Sequence, residues 1–416
     1  MRLVYNISIW LFIWSISIAA VWNKKAALLL VGHKNWLFNL TSWRSKNQGQ
    51  LIWFHCASLG EFEQGRPLME AIRKSKPDVK ILLTFFSPSG YEVRKNYDGA
   101  DYICYLPADT PAHAKSFIQA AAPTSIYFIK YEYWANYFFA AKQQGIPLFV
   151  ASAILRPEQR FFGVFRSFWQ KVLQCVTHFY VQNENTKLLL SEHGFSNVTI
   201  SGDTRFDRVL SISNGTKTLP EIEQWKQHTY CIAGGSTWPA DDVLLLNYWK
   251  HCAAIGVRIK LIIAPHEIDA DHINSLKNKI PAACLWSEMQ TGNFAAIDCL
   301  IIDTIGLLST LYQYADAVHI GGGFGKGIHN TLEAAAWGKP ITFGPRYQKF
   351  DEAKALIENG AALSIHTSDS FINAHDTMRN DAVLNRQMAA AALALVQQNA
   401  GASNRILQHS MPTLQM

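Results

Sequence analysis

From residue 51 onward the chain alternates short, continuously apolar runs with longer stretches of helical character, and nothing else in it restricts the fold as much. The first series of runs falls at 51–56, 80–85, 125–129, 147–152 and 178–181; a second falls at 230–233, 258–264, 298–303, 317–320 and 340–343. Runs that are apolar throughout, and that end in Gly, Pro or Ser, predict parallel strands covered on both faces. Two such series predict an α/β chain of two doubly wound domains. A polar stretch at 211–219 reads as the hinge, which puts the domains at 33–212 and 220–416. An Ala- and Gln-rich helical stretch near 381–398 is expected to pack across both. With 49% hydrophobic and 17% charged residues in 416, the chain has the apolar content for sizeable cores and is not a disordered one.

Residues 3–22 are apolar, with no charge between Arg2 and Lys24 and with tryptophans at 10, 14 and 22. A cleaved signal peptide and a buried core helix are open readings; a retained membrane anchor over 1–32 is preferred. The charge supports it. Residues 1–60 contain no Asp or Glu, and the first 50 carry Arg2, Lys24, Lys25, Lys34, Arg44 and Lys46. Removing those six from the 38 cations leaves 32 against 32 anions, so the net +6 sits beside the apolar segment. A cationic collar there suits an anionic membrane surface and holds the following domain in the cytoplasm. A nucleic-acid binder would spread its basic patch over the folded body, so no nucleic-acid partner is expected. The seven cysteines are odd in number and form no CxxC pair, which points to free thiols in a reducing compartment.

In open α/β sheets ligands bind beyond the carboxyl ends of strands, so residues just after the runs carry the functional weight. Glu61 falls in the turn after the first run: a general base, or a cap on the helix that follows. Lys130 and Arg205 each follow a strand and can stabilise a phosphate leaving group, or be ordinary surface ion pairs. In the second domain Gly321, Gly322, Gly323, Gly325 and Gly327 precede Asn330, Thr331, Leu332 and Glu333, a glycine-rich strand end entering a helix, which points to phosphate. It is neither a Walker A loop nor a GxGxxG fingerprint. Gly234 to Thr237, then Pro265 and His266, then Thr304 with Ile305, Gly306 and Leu307 follow other strands at the same rim. His266-Glu267 lacks an HExxH context and a third ligand, so no metal site is expected. No GxSxG elbow occurs.

In order and spacing, Ser58-Leu59-Gly60-Glu61, Ser87-Pro88-Ser89-Gly90-Tyr91-Glu92, Glu132-Tyr133-Trp134, Gln182-Asn183-Glu184, Gly202-Asp203-Thr204-Arg205-Phe206-Asp207, His329-Asn330-Thr331-Leu332-Glu333-Ala334-Ala335, Gly338-Lys339-Pro340 and Phe343-Gly344-Pro345 resemble the Kdo (3-deoxy-D-manno-octulosonic acid) transferase family. The resemblance implies a GT-B glycosyltransferase of two Rossmann-like domains facing a cleft, with no cofactor or metal. It implies CMP-Kdo as donor and a lipid A precursor (lipid IVA) as acceptor, at the cytoplasmic face of the inner membrane in lipopolysaccharide assembly. It implies Glu61 as general base in an inverting transfer, Arg205 in place of the family's usual Lys at the leaving phosphate, and Lys130 where the family often has Glu. Pro265, His266, Ile305, Gly306, Leu307, Asn330, Thr331, Leu332 and Glu333 would hold CMP. The usual Pro-Arg-His run is reduced to Pro265-His266, and Ala135 stands where Pro is usual. Another GT-B transferase or epimerase, using a UDP-sugar, and a non-catalytic nucleotide-binding module are the alternatives.

Overall fold

The computed structural model describes residues 1–215, 218–280, 282–289 and 294–414. The chain divides into two compact units, residues 1–208 with 400–416, and residues 209–399.

The first unit opens with α1 (Arg2–Ala19), α2 (Lys24–Gly32) and α3 (Trp36–Lys46). Then β1 (Leu51–Cys56), α4 (Leu59–Ser75), β2 (Lys80–Phe85), α5 (Pro88–Arg94), β3 (Tyr102–Tyr105), α6 (Pro111–Ala121) and β4 (Ser125–Ile129) alternate. They continue through α7 (Ala135–Gln143), β5 (Leu148–Ala153), α8 (Arg166–Leu173), β6 (His178–Val181), α9 (Glu184–Glu192) and β7 (Val198–Ile200). The seven strands form one sheet in the order β3-β2-β1-β4-β5-β6-β7, with every pairing parallel. The strand order reverses between β1 and β4, so the crevice beyond their carboxyl ends is the topological switch point.

Helix α10 (Thr204–Asn214) contains the division between the units. The second unit holds α11 (Pro220–Lys226), β8 (Cys231–Thr237), α12 (Pro239–Ala254), β9 (Lys260–Pro265), α13 (Ala270–Lys279), β10 (Ala283–Leu285) and β11 (Cys299–Ile301). It continues with α14 (Leu308–Leu311), β12 (Ala317–Ile320), α15 (Leu332–Ala336), β13 (Ile341–Phe343), α16 (Asp351–Glu358), β14 (Ala362–Ser364), α17 (Ser368–Asn380) and α18 (Ala382–Asn399). Its sheet is also all parallel, in the order β10-β11-β9-β8-β12-β13-β14, with its switch point between β8 and β12. Helix α19 (Ala402–Ser410) returns to the first unit.

The central strands are buried from end to end, as their unbroken apolar runs require: all six residues of β1 and all five of β4 are inside. Burying each large side chain, such as Trp53 or Phe54, contributes roughly 1.5–3 kcal/mol. Some of the polar atoms among them are paired, while His55 Nε2 and Ser125 Oγ have no partner among the described residues. The Trp53 indole N–H donates to Thr84 Oγ1 at 2.8 Å, and His55 Nδ1 lies 2.9 Å from the same oxygen. Complete burial pushes the His55 imidazole down to about 3, so it is neutral. The second sheet repeats the device, with His319 Nδ1 3.0 Å from Thr342 Oγ1.

The expected helical stretch near 381–398 forms α18, which lies on α15, α16 and α17 of the second unit. Two expectations change. Residues 211–214 of the expected hinge are the last turn of α10, and Thr216 and Lys217 lie outside the described residues. Residues 400–416, read as the end of the second domain, belong to the first. Asp207 explains that return: its carboxylate accepts from the Gly401 N–H and, at 2.7 Å, from the Ser403 N–H. Tyr127 on β4 then donates to Ser410 Oγ at 2.7 Å, and Ile406 is fully buried.

The segment read as an anchor is partly docked. Arg2 Nη2 reaches Asn136 Oδ1 at 3.3 Å, Tyr5 Oη donates to Asp109 Oδ2 at 2.6 Å, and Asn136 Nδ2 donates to Asn6 Oδ1 at 2.9 Å. Arg44 is likewise used internally, donating from Nε to the Ala121 carbonyl at 3.0 Å. Of the six expected collar cations, all but the half-buried Arg44 are exposed.

Candidate active site

The carboxyl-end rim of the first sheet is built around the start of α4. Ser58, in extended backbone, caps that helix: its Oγ accepts from the Gly60 N–H at 3.2 Å. Glu61, three residues on, closes a capping box by accepting from the Ser58 N–H at 3.1 Å and from the Ser58 hydroxyl. Both bonds fall on Oε2. The capping reading of Glu61 is therefore realised, and it leaves Oε1 without a bond among the described residues. Gly90 lets α5 pack against this turn, since a Cβ there would meet the Phe85 ring at 2.4 Å and the Ser58 carbonyl carbon at 3.0 Å.

Across the switch point β4 is followed by Lys130, whose φ of 66° is left-handed. A non-glycine residue held there costs about 1 kcal/mol or more and is characteristic of functional turns. The Lys130 ammonium lies 4.8 Å from the Tyr131 ring. Tyr131 is the hub of this rim: burial raises the affinity of its phenol for its proton, Arg156 and Arg205 act the other way, and Glu61 and Asp203 add to the rise. Lys130 thus lies against the ring, and Glu61 and Arg205 both act on it electrostatically, although β7, which leads to Arg205, is an edge strand. Arg205 is itself held by Asp203, with Nε 2.8 Å and Nη2 2.7 Å from Oδ2. Glu132 adds a second carboxyl. Burial first, and then the Glu61 carboxylate, raise it to about 7.

In the second unit the rim is aromatic. Trp238 after β8, His266 after β9 and His329 after β12 stack: the two imidazoles are 4.0 Å apart and Trp238 lies 5.1 Å from His266. The Trp238 indole N–H donates to His329 Nε2 at 2.9 Å. Burial and the neighbouring His266 lower the His329 affinity for a second proton, which keeps that nitrogen an acceptor. The strand β8 includes Gly234 to Thr237 and bulges at Ser236, whose φ is 51°.

Four amides of the glycine loop turn inward. The N–H groups of Gly321, Gly322, Gly325 and Gly327 donate to Gly235 O, Asp241 Oδ2, Gly322 O and Gly322 O respectively. Its glycines serve close packing: a Cβ on Gly321 would lie 2.3 Å from Ser236 O, and one on Gly323 2.5 Å from Gly344 N. Asp241 anchors it from below. Burial opposes that charge, but the His319 ring at 3.2 Å and the Gly322 and Trp238 N–H groups hold the carboxyl below its ordinary value. The expected phosphate cradle is therefore a packed turn at these four amides.

The remaining candidates lie on the same rim. Pro265 ends β9 and is buried, as is Leu332, so neither offers its side chain. Ile305 stands 92% exposed before Gly306, whose φ is 96°, and Leu307 precedes α14. Asn330 caps locally, accepting from the Leu332 N–H at 3.1 Å and donating to Glu333 Oε1 at 2.9 Å. The Thr331 hydroxyl is buried with no hydrogen-bond partner. Among the described residues no three His, Cys, Asp or Glu side chains gather as metal ligands would.

Residues 34–208, which hold the whole first rim, match the family described as 3-deoxy-D-manno-octulosonic-acid transferase (kdotransferase). The 3-deoxy-D-manno-octulosonic acid transferase of Chlamydophila psittaci is 28% identical over 328 residues, 76% of this chain and 75% of its own length. That of Haemophilus influenzae is 24% identical over 383 residues, 88% of each chain. The chain is similar to these Kdo transferases over three quarters or more of its length. Those relatives are glycosyltransferases, and the two parallel-sheet units of this chain are those of the GT-B fold. That architecture recurs in the UDP-GlcNAc 2-epimerase of Neisseria meningitidis, with a TM-score of 0.61 at 14% identity over 87% of this chain and all of that one. MurG of Acinetobacter baumannii shares it with a TM-score of 0.53 at 14% identity, over 86% of this chain and 99% of that one.

The motif residues read from sequence divide by physical task. Ser87 caps α5 and Asn183 caps α9, the latter accepting from the Thr186 N–H at 2.9 Å. Gln182 donates to the Ser152 carbonyl at 3.0 Å. Glu132 is different: it is the residue that sequence reasoning quoted as a marker but gave no role. It places a carboxyl two residues beyond Lys130, where the family often has Glu. Tyr131, Trp238 and His329 were also given no role. Trp238 follows Gly234 to Thr237 directly, so the strand end was visible and the stacking was not.

Proposed function

We propose that this enzyme transfers Kdo from CMP-Kdo to a lipid A precursor, lipid IVA, at the cytoplasmic face of the inner membrane, with inversion and without a metal. The observation that carries the reading is the placement of Glu61: at the switch point, with one carboxylate oxygen held by Ser58 and the other open, beside the Lys130, Tyr131 and Arg205 cluster. An alcohol is a weak nucleophile at neutral pH, so its attack needs a base within hydrogen-bond reach. Glu61 Oε1 takes the acceptor hydroxyl proton as the oxygen bonds to the anomeric carbon of Kdo. The bond from that carbon to the CMP phosphate oxygen breaks, and its electron pair leaves with CMP. Arg205 and Lys130 stabilise the charge that grows on the departing phosphate. Donor binding falls to the second unit: His266 with Trp238 and His329 offers a stacking face. The turns Ile305-Gly306-Leu307 and Asn330-Thr331-Leu332-Glu333, with Pro265 shaping the strand end, offer backbone and hydroxyl contacts.

The acceptor is a lipid, and α1 fits a monotopic membrane contact. It is the one helix among the described residues long and apolar enough to cross a membrane, yet its first turns are bonded to the body. Its outward stripe, Leu3, Ile7, Trp10 and Trp14, is at least half exposed.

The test is transfer of Kdo from freshly made CMP-Kdo to tetraacyl lipid A precursor in detergent with chelator present. A Kdo-bearing product is expected. Glu61→Gln should lose about 100-fold or more in kcat while retaining CMP binding, because Gln still closes the capping box. Full activity in that variant would remove Glu61 as the base, and no product from wild-type protein that binds CMP would remove the donor–acceptor assignment.

A further inference from the structure

An apolar cavity of about 640 Å³ lies between α1 and the body of the first unit. One face of α1 lines it, with Val4, Ser8 and Phe12 at helical spacing. The opposite walls are Phe86 after β2, Trp134 after β4, and Phe168 and Trp169 of α8. The walls are interlocked rings: Phe12 stacks on Phe86 at 5.9 Å, Phe86 meets Trp134 at 5.0 Å, and Tyr5 lies 5.5 Å from Phe168. The volume falls in the ~300–1,000 Å³ of ligand pockets.

Its position is not arbitrary. The Phe86 and Ser87 N–H groups both donate to the Ala57 carbonyl, at 3.3 and 2.7 Å, so one wall is bonded to the residue before the Ser58–Glu61 turn. Glu132 and Arg160 are the charged lining residues, and Glu132 lies within electrostatic reach of Glu61. The cavity therefore has an apolar body and a polar margin on the catalytic rim. A ligand with a hydrocarbon tail and a sugar head carrying the reacting hydroxyl matches that gradient in a way that a free sugar or a nucleotide does not.

We infer that this cavity binds one acyl chain of the acceptor lipid, and that by holding the chain it sets the acceptor hydroxyl at Glu61. The inference rests on the acceptor reading above. It gives α1 two apolar faces with separate tasks: the inner face closes over a single chain, and the outer stripe meets the membrane.

The experiment fills the cavity. Ser8→Trp, with Val4→Trp as a second filler, places an indole in the space from an exposed helical position. Loss of two or more buried methylenes corresponds to roughly tenfold or more in affinity. The KM for tetraacyl acceptor should therefore rise at least about tenfold. The KM for CMP-Kdo, and transfer to the fully deacylated acceptor, should stay within about twofold. An unchanged KM, or an equal change for both acceptors, overturns the inference while leaving the transferase reading in place. Quenching by dibromostearate, taken as the difference between wild type and Trp169→Phe, reads chain binding without turnover. It should be present in wild type and lost in either filler, and its absence from wild type overturns the inference. If bromine-labelled phosphatidylglycerol quenches and the fillers remove that quenching without moving the acceptor KM, the occupant is a membrane phospholipid and the assignment to the acceptor falls. A wild type that transfers to neither acceptor, yet shows the quenching, brings down the transferase reading and keeps an alkyl-chain site.

Discussion

At the scale of single residues, Glu132 shows how a site is made by surroundings as much as by residue type. Its carboxyl is raised from 4.5 to about 7 by burial and then by Glu61, so it carries its proton over part of the physiological range. The folded state then binds more protons than the unfolded state between those values, and stability falls as pH rises from about 4.5 through about 7. Glu132→Gln should remove that component and stabilise the protein at pH 8 by on the order of 2 kcal/mol, with little change at pH 5. Denaturant unfolding at the two pH values measures it. In transfer assays the same variant should flatten any limb of the pH–rate profile near 7. Sequence reading reached Glu61, Lys130 and Arg205 because each falls just after a strand. It did not reach Glu132, since a raised carboxyl depends on the side chains that cover it, and those come from α1 and the turn after β5.

At the scale of elements, the apolar pattern marks the interior strands and passes over β3, β7, β10 and β14, the four edges of the two sheets. Edge strands have a neighbour on one side only, and these are short and mostly half-buried, so they carry no unbroken apolar run. Strand β7 is signalled only by the turn at Gly202 that follows it. Helix α1 presents the opposite case: its hydropathy is plain, and its docking is not. What ties it down is Asp109, buried and accepting from Tyr5 Oη and from the Asn136 and Tyr137 N–H groups. Tyr5→Phe should loosen α1 and speed trypsin cleavage at Lys24–Lys25 severalfold, with the sheet intact by circular dichroism. Asp109 is raised by burial to about 7, so the charge it must hold inside grows as pH rises through 7. Cleavage of the wild type, corrected for the pH dependence of trypsin itself, should therefore be faster at pH 8 than at pH 6.

At the scale of the whole molecule, the chain runs through both units and then returns, and α19 closes on α4, the helix that carries Glu61. Ile406→Ala should cost about 2–5 kcal/mol, measured by urea unfolding, because a fully buried side chain is removed from the first unit by a residue far along the chain. Removing residues 400–416 should abolish transfer by releasing α4, while residues 209–399 keep their own core. The sequence by itself determined the alternation of strands and helices, the two parallel sheets, and the resemblance to the Kdo transferases. These follow from local periodicity, from turn chemistry and from the spacing of motifs, which a linear chain displays directly. Tertiary structure alone decided that the glycine loop turns four amides inward onto Asp241, β8 and its own backbone, that the last helix belongs to the first unit, and that one face of α1 closes a cavity lined by Glu132. Each of these depends on which distant side chain or carbonyl meets a buried polar group or an apolar face, and such partners are chosen by packing in three dimensions.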